Sequence, residues 1–276
     1  MCGNRCCTKC CRDGYVGLNC SHSLLFFCAD PTYWIDEFLH FLDLGSSKKL
    51  EGVVTRFRFT TTKMLLISVE GNIGAGKSTF LERLQREWPD VTVVMEPVGT
   101  WMSVKDSSGK SLLDYFYEDK QRWSYTFQTC AFLTRMMDTE NVLASVSSAK
   151  PDGKPVVIIT ERSVLTDRYV FADMLRKDGA MNELEYDLYC RWFDRYARGI
   201  PVEGIIYLET DPGTSLTRIS TRGRGAEAGI GLDYLEALES QHQSWLSSTK
   251  IPVYRLSAND GELAGLKTWI SELSKA

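Results

Sequence analysis

The chain is 276 residues long and 43% hydrophobic, with 32 basic and 36 acidic side chains and a net charge of −4. That is enough for a substantial core in one large domain, or in one domain with an appendage. The charges are interspersed with no basic stripe, so duplex nucleic acid is not an expected partner, and no run approaches the ~18 apolar residues of a membrane span. The composition is that of a soluble globular protein.

Of the nine cysteines, seven (Cys2, Cys6, Cys7, Cys10, Cys11, Cys20, Cys28) precede residue 29, and only Cys130 and Cys190 lie beyond it. This split argues against a disulfide-stapled secreted fold and for a reducing compartment. Three readings of the cluster stay open. Cys7 and Cys10 with Cys20 or His22 could hold zinc, though a second regularly spaced pair is missing; the thiols could be reversibly acylated; or they belong to an arm in which they serve no specific purpose, the reading with most weight. Residues 1–60 read as an N-terminal extension, distinct in composition from the rest of the chain. Within it Asp30-Pro31, then Trp34, Ile35, Phe38, Leu39, Phe41 and Leu42, closed by Gly45, predict a capped amphipathic helix. Its apolar face needs cover, from its own body or from a neighbouring subunit.

From Lys63 onward, short β-branched runs alternate with helical segments. Strands are expected over 64–69, 91–95, 156–160, 204–208 and 252–256. Helices are expected over 78–88, 111–147, 163–177, 181–198, 212–223, 231–248 and 260–274. This alternation predicts an α/β fold with a central parallel five-stranded sheet covered by helices on both faces.

The first expected strand runs directly into Gly71-Asn72-Ile73-Gly74-Ala75-Gly76-Lys77-Ser78-Thr79, and a helical pattern comes next. Strand, glycine loop and helix in that order are the context in which GxxxxGK[ST] binds nucleotide phosphates. The glycines let consecutive N–H groups turn inward, and the helix adds its positive end. Lys77 would reach the outer phosphates, and Ser78 would offer its hydroxyl to Mg²⁺.

Ligands of open α/β sheets sit beyond the carboxyl ends of the strands. The second strand leads to Glu96-Pro97, placing a carboxylate where it could take a proton from an attacking hydroxyl. The third ends in Glu161-Arg162-Ser163, an acid able to hold Mg²⁺ beside an arginine able to neutralise phosphate charge. Together with the phosphate loop these point to phosphoryl transfer, which needs mainly positioning and charge neutralisation. Downstream, Arg218, Arg222 and Arg224 lie in a Gly-punctuated stretch that suits a mobile lid over ATP, though a plain solvated basic turn would look the same.

The segments GNIGAGKSTF, EPVGTW, RWSYTFQTCAFLTR, ERSVLTDRYVFA, GIIYLETDP, RGRGAEAGIGLDYLEAL and HQSWL together resemble the deoxyribonucleoside kinases of the deoxycytidine, deoxyguanosine and mitochondrial thymidine kinase group. The likeness runs from about residue 64 to the end, and residues 1–60 have no counterpart in it. It implies a P-loop kinase, homodimeric, that moves the γ-phosphate of ATP, with Mg²⁺, to the 5′-hydroxyl of a deoxynucleoside. On this resemblance Glu96 is the general base, Arg162 steadies it and the 5′-oxygen, Ser78 and Glu161 take the Mg²⁺ positions, and Arg218, Arg222 and Arg224 form the lid. Tyr117 and Glu227 correspond to the pair gripping the sugar 3′-hydroxyl, Trp101 and Phe127 to aromatics enclosing the nucleoside, and Gln128 to the residue pairing with the base edge. Taken alone, the two aromatics would read as core. Ala226 stands where many relatives carry a second acid.

Base preference turns on Arg135 and Asp167, a pair that in the family accompanies deoxycytidine, deoxyadenosine and deoxyguanosine kinases. An acceptor carboxylate beside a donor guanidinium fits an exocyclic amine next to a ring nitrogen. Thymine lacks that amine and adds a methyl group. A purine preference is therefore expected, deoxyadenosine first, with deoxycytidine or broad specificity as the alternative. A nucleoside monophosphate kinase is less well supported, because Glu96 suits a neutral acceptor. Asp106-Ser107-Ser108-Gly109 has the DxxG form, but no NKxD motif accompanies it to read guanine. A catalytically silent scaffold is disfavoured by intact Lys77, Glu96, Glu161 and Arg162. The expected compartment is the cytoplasm, with mitochondria as the alternative, and the extension could raise the dimer to a higher oligomer.

Overall fold

The computed structural model describes residues 64–148, 155–257 and 263–275. The cysteine cluster and the amphipathic helix expected over 30–45 lie outside the described residues.

At the centre is β1 (Met64–Glu70), flanked by β3 (Val156–Glu161) and β4 (Gly204–Glu209), with β2 (Thr92–Val94) and β5 (Val253–Ser257) at the edges. All pairings are parallel and the order is β2-β3-β1-β4-β5. The five expected strands are therefore present within a residue or two of their expected ends. A parallel sheet is buried on both faces, which explains why β1 and β4 read as near-continuous apolar runs.

Strand alternation divides the core in two. Leu65, Ile67 and Val69 face one layer, packing with Leu81 and Leu84 of α1 (Lys77–Glu87) and with Leu266 and Ile270 of α9 (Leu263–Leu273). Leu66, Ile158, Ile205 and Tyr207 face the larger layer on the other side of the sheet, with Phe116, Phe132, Leu235 and Leu238. Each fully buried aliphatic or aromatic side chain contributes about 1.5–3 kcal/mol.

The remaining helices are α2 (Val98–Ser103), α3 (Leu112–Glu118), α4 (Lys120–Ser148), α5 over 164–177, α6 (Glu183–Tyr196), α7 (Pro212–Arg222) and α8 (Leu232–Ser248). Three differ from expectation. The helix expected over 111–147 is two helices. The chain leaves helical geometry at Asp119 (φ −141°, ψ 83°), whose Oδ1 then accepts the Arg122 N–H at 3.1 Å and starts α4, so a capping side chain rather than Gly or Pro makes the break. α2 was not expected, because six residues after Pro97 are too few to show a period. α5 contains a π segment, Asp167–Ala172, between the turn Val164–Thr166 and the α-helix Asp173–Lys177.

Candidate active site

The phosphate loop leaves β1, the central strand, and enters α1. Gly71 (φ 145°) and Gly74 (φ 79°) are required as glycines: a Cβ there would lie 2.8 Å from the Leu208 carbonyl oxygen and 2.5 Å from that of Ser215. The Asn72 side chain ties the loop to α8, donating to the Leu235 carbonyl at 2.8 Å, while its Oδ1 accepts the Ile73 N–H at 2.9 Å. Ala75 is held from outside, its carbonyl accepting from Thr210 Oγ1 at 3.2 Å and Arg218 Nη1 at 3.1 Å. No side chain caps α1 at Gly76, which leaves the first-turn N–H groups, including those of Ser78 and Thr79, open to an anion.

Lys77 is buried, with Nζ donating to the carbonyls of Asn72 at 2.8 Å and Gly71 at 3.2 Å. Burial, then the Arg162 charge, lowers its ammonium to about 7, against the pull of Glu161 and Glu96. Ser78 Oγ donates to Glu161 at 2.9 and 3.1 Å, and the Glu96 N–H approaches the same carboxylate at 3.5 Å. A hydroxyl and a carboxylate converge there, and both are oxygen donors of the kind Mg²⁺ takes together with phosphate oxygens.

Around Glu96 the charges form a connected cluster. Arg162 Nη1 donates to both its oxygens at 2.8 Å, and Arg135 Nη2 donates to Oε1 at 2.9 Å. Arg135 also clasps Asp167, Nε to Oδ2 at 2.8 Å and Nη2 to Oδ1 at 3.2 Å, and its Nη1 donates to the Glu161 carbonyl at 2.8 Å. Burial alone would raise the Glu96 carboxyl, but Arg162, Arg135 and Lys77 prevail and hold it at about 2. Asp167 behaves oppositely: burial raises its carboxyl, only partly offset by Arg135. Arg162 is the one non-glycine residue with positive φ (61°) among the described residues.

The expected site residues bound two cavities with a common rim. The first, about 350 Å³, is lined by Ile73, Glu96, Trp101, Tyr117, Phe127, Gln128, Arg135, Arg162, Asp167 and Glu227; the second, about 550 Å³, is lined by residues 74–79 of the phosphate loop and Arg218, while Gly71 and Asn72 line neither. Gly74, Lys77, Ser78, Glu161, Arg222 and Arg224 border both. Trp101 and Phe127 pack edge to face at 5.4 Å, and Phe116 stacks on Phe127 at 4.5 Å, so these rings are core and cavity wall at once. Gln128 and Arg135 share a face of α4, and Gln128 Oε1 is buried without a partner. The Tyr117 phenol is pushed up, first by burial and then by nearby Tyr234 and Glu227.

Two of the three arginines expected in the lid also meet an acid. Arg222 Nη2 pairs closely with Glu227, and Arg224 Nη1 lies 3.3 Å from the same carboxylate. The left-handed Gly223 that ends α7 (φ 64°) reverses the chain and brings the three together.

Sequence reading missed Glu70. It ends β1 fully buried, accepting from Ser163 Oγ at 2.9 Å and from Thr166 Oγ1. Inspection of the carboxyl end of the first strand, as of the second and third, would have found it. Phe116 and Phe171, which also line the first cavity, carry no sequence signal that separates them from core.

The deoxynucleoside kinase family matches residues 67–274. The chain is 41% identical over 201 residues to human (Homo sapiens) deoxycytidine kinase, covering 67% of this chain and 76% of that one. It is 35% identical over 224 residues to deoxycytidine kinase 1 of Xenopus laevis, covering 72% and 83%. It is 36% identical over 201 residues to the mitochondrial deoxyguanosine kinase of Xenopus laevis, covering 66% and 72%. With a phosphate loop at the head of a five-stranded parallel sheet and a family match across nearly all of the described fold, the chain belongs to the deoxynucleoside kinase family.

Proposed function

We propose that this ATP-dependent kinase seats ATP along the larger cavity and a deoxynucleoside in the smaller one, the γ-phosphate passing to the 5′-hydroxyl at their common rim. The observation that carries this is the shared border: Lys77, Ser78, Glu161, Arg222 and Arg224 face both spaces, as transfer between two ligands requires.

In this reading the loop N–H groups and Lys77 hold the phosphates. Glu96, ionised under the pull of two guanidiniums, accepts a hydrogen bond from the 5′-hydroxyl and receives its proton as the phosphorus–oxygen bond forms. A carboxylate held so low is a weak base, which suits a loose transition state in which the hydroxyl is oriented first and deprotonated late. Arg162 orients Glu96 and lies against the developing charge. Ser78 and Glu161 would hold a Mg²⁺ bound with ATP, which would neutralise phosphate charge. Arg222 and Arg224 would exchange Glu227 for phosphate when ATP is present, leaving Glu227 to accept from the sugar beside Tyr117.

At the base, Gln128 with its unpartnered Oε1 and the Arg135–Asp167 pair offer an amide and an acceptor carboxylate. They suit an exocyclic amine beside a ring nitrogen. We place deoxyadenosine first, with deoxycytidine as the second reading, favoured by the deoxycytidine kinases among the relatives. Thymidine is disfavoured, because it would leave a buried charge without a partner.

We further propose a homodimer. Leu184, Leu188, Trp192 and Tyr196 recur every four residues along α6 and are 43–77% exposed, and Leu133 and Met137 of α4 are exposed as well. The free thiols Cys130 and Cys190 suit a reducing cytoplasm, and among the described residues no helix is long and apolar enough to cross a membrane.

Four deoxynucleosides assayed with ATP and Mg²⁺ test the substrate reading. Deoxyadenosine and deoxycytidine are expected to be phosphorylated far more efficiently than thymidine. Thymidine as the better acceptor would overturn the base reading. Transfer to nucleoside monophosphates, but to no nucleoside, would overturn the acceptor.

A further inference from the structure

Arg162 stands in the left-handed region (φ 61°), which is strained for a non-glycine residue and persists only where surrounding contacts over-determine it. On its N-terminal side those contacts are plain: the Arg162 N–H donates to the Val69 carbonyl at 2.9 Å, and the Glu161 carbonyl accepts from Arg135 at 2.8 Å. On its C-terminal side the restraint comes from Glu70. One carboxylate oxygen accepts from Ser163 Oγ at 2.9 Å, the other from Thr166 Oγ1. Ser163 in turn starts α5, its carbonyl accepting the N–H groups of Thr166 at 3.1 Å and Asp167 at 3.3 Å.

Glu70 is thus joined through the backbone to Gly71 and through hydrogen bonds to both sides of the first turn of α5. Arg162 closes the circuit, donating from Nη2 to the Gly71 carbonyl at 3.2 Å. A fully buried carboxylate satisfied by two hydroxyls is an expensive way to fill space that a leucine would fill more cheaply. What a leucine could not do is draw two hydroxyls to fixed points.

We propose that Glu70 is a positioning residue: it holds the strained Arg162 turn against the head of the phosphate loop, so that the Arg162 guanidinium meets Glu96 end on. The inference rests on the reading that Arg162 acts at the acceptor hydroxyl. Displacing a catalytic group by ~1 Å can cost on the order of 10²-fold in rate.

The test compares purified full-length Glu70→Gln, Glu70→Ala, Ser163→Ala/Thr166→Val, Arg162→Lys and the double variant Glu70→Gln/Arg162→Lys. Glu70→Gln and Ser163→Ala/Thr166→Val are expected to lose about 10-fold or more in kcat, with KM for ATP within about threefold of wild type. Glu70→Ala, if it folds, should lose more than Glu70→Gln, because the amide still offers one acceptor. In the Arg162→Lys background, Glu70→Gln should cost less than a further threefold or so, since both act through one group. A kcat within about twofold of wild type in both Glu70→Gln and Ser163→Ala/Thr166→Val, with Arg162→Lys impaired, overturns the inference alone. So do losses from Glu70→Gln and Arg162→Lys that multiply. Wild-type kcat in Arg162→Lys would overturn the role of Arg162 and this inference with it.

Discussion

Arg162 holds Glu96 from a single nitrogen, Nη1 lying 2.8 Å from both carboxylate oxygens. The pair is 66 residues apart in sequence; it orients the Glu96 carboxylate and, together with Arg135 and Lys77, keeps it ionised.

Glu96→Gln keeps the shape but removes proton acceptance. It is expected to lower kcat by ~10²–10⁴ with little change in nucleoside affinity; a variant keeping more than half of wild-type turnover would dismiss Glu96 as the base. Because the native carboxyl is held at about 2, below its ordinary 4.5, Glu96 contributes stability that is present above about pH 4.5 and lost as pH falls towards 2. Acid denaturation curves should therefore flatten over that interval in Glu96→Gln, and kcat should show no step from Glu96 between roughly pH 5 and 8.

Burial lowers the Lys77 ammonium to about 7, and bound phosphates would restore its charge. ATP binding at roughly pH 8, where phosphate groups are already ionised, is expected to take up part of a proton. Calorimetry in buffers of different ionisation enthalpy measures this uptake. Lys77→Ala should abolish it and weaken ATP use; uptake unchanged in the variant would assign the proton elsewhere.

Arg135 serves Asp167 and Glu96 together, so single changes at Arg135 or Asp167 strand a buried charge and should depress activity on every nucleoside. Arg135→Met with Asp167→Ala removes the pair and makes room for a methyl group. Its turnover will suffer from the lost Glu96 contact, and the informative quantity is a ratio. The efficiency for thymidine relative to deoxyadenosine or deoxycytidine should rise by an amount on the order of 3 kcal/mol if two charge-assisted hydrogen bonds are involved. A ratio within about twofold of wild type would mean that the pair does not read the base.

Light scattering tests assembly. Leu188→Glu with Trp192→Glu, on the exposed stripe of α6, should convert a dimer to a monomer; a dimer that persists would place the interface elsewhere. Removing residues 1–60 should change the oligomer while leaving kcat in place, since every proposed catalytic residue lies beyond Lys63. The same number of subunits in both forms would rule out assembly through the extension.

Much was legible in the sequence because it is decided within a few residues. Parallel strands announce themselves as β-branched runs, and the phosphate loop as a contiguous pattern whose glycines answer backbone angles such as the 79° at Gly74. The rule that ligands gather beyond strand ends was enough to single out Glu96, Glu161 and Arg162. Within the helical region the break at Asp119 was not legible, because a capping carboxylate resembles any other exposed acid until the chain is seen to turn there.

What the tertiary structure alone decided is where charge is buried and what it meets. The Glu161 carbonyl and Arg135 are 26 residues apart, Arg135 and Glu96 are 39, and Glu70 and Ser163 are 93. Only the sheet order β2-β3-β1-β4-β5 brings these groups to one edge. Burial raises both carboxyls, but Glu96 is held near 2 by two guanidiniums and a lysine, whereas at Asp167 burial prevails over Arg135, with the Glu96 charge on its side. A carboxylate's proton affinity depends on its solvent and its neighbours; residue type supplies neither, and for these side chains both were set by parts of the chain distant in sequence.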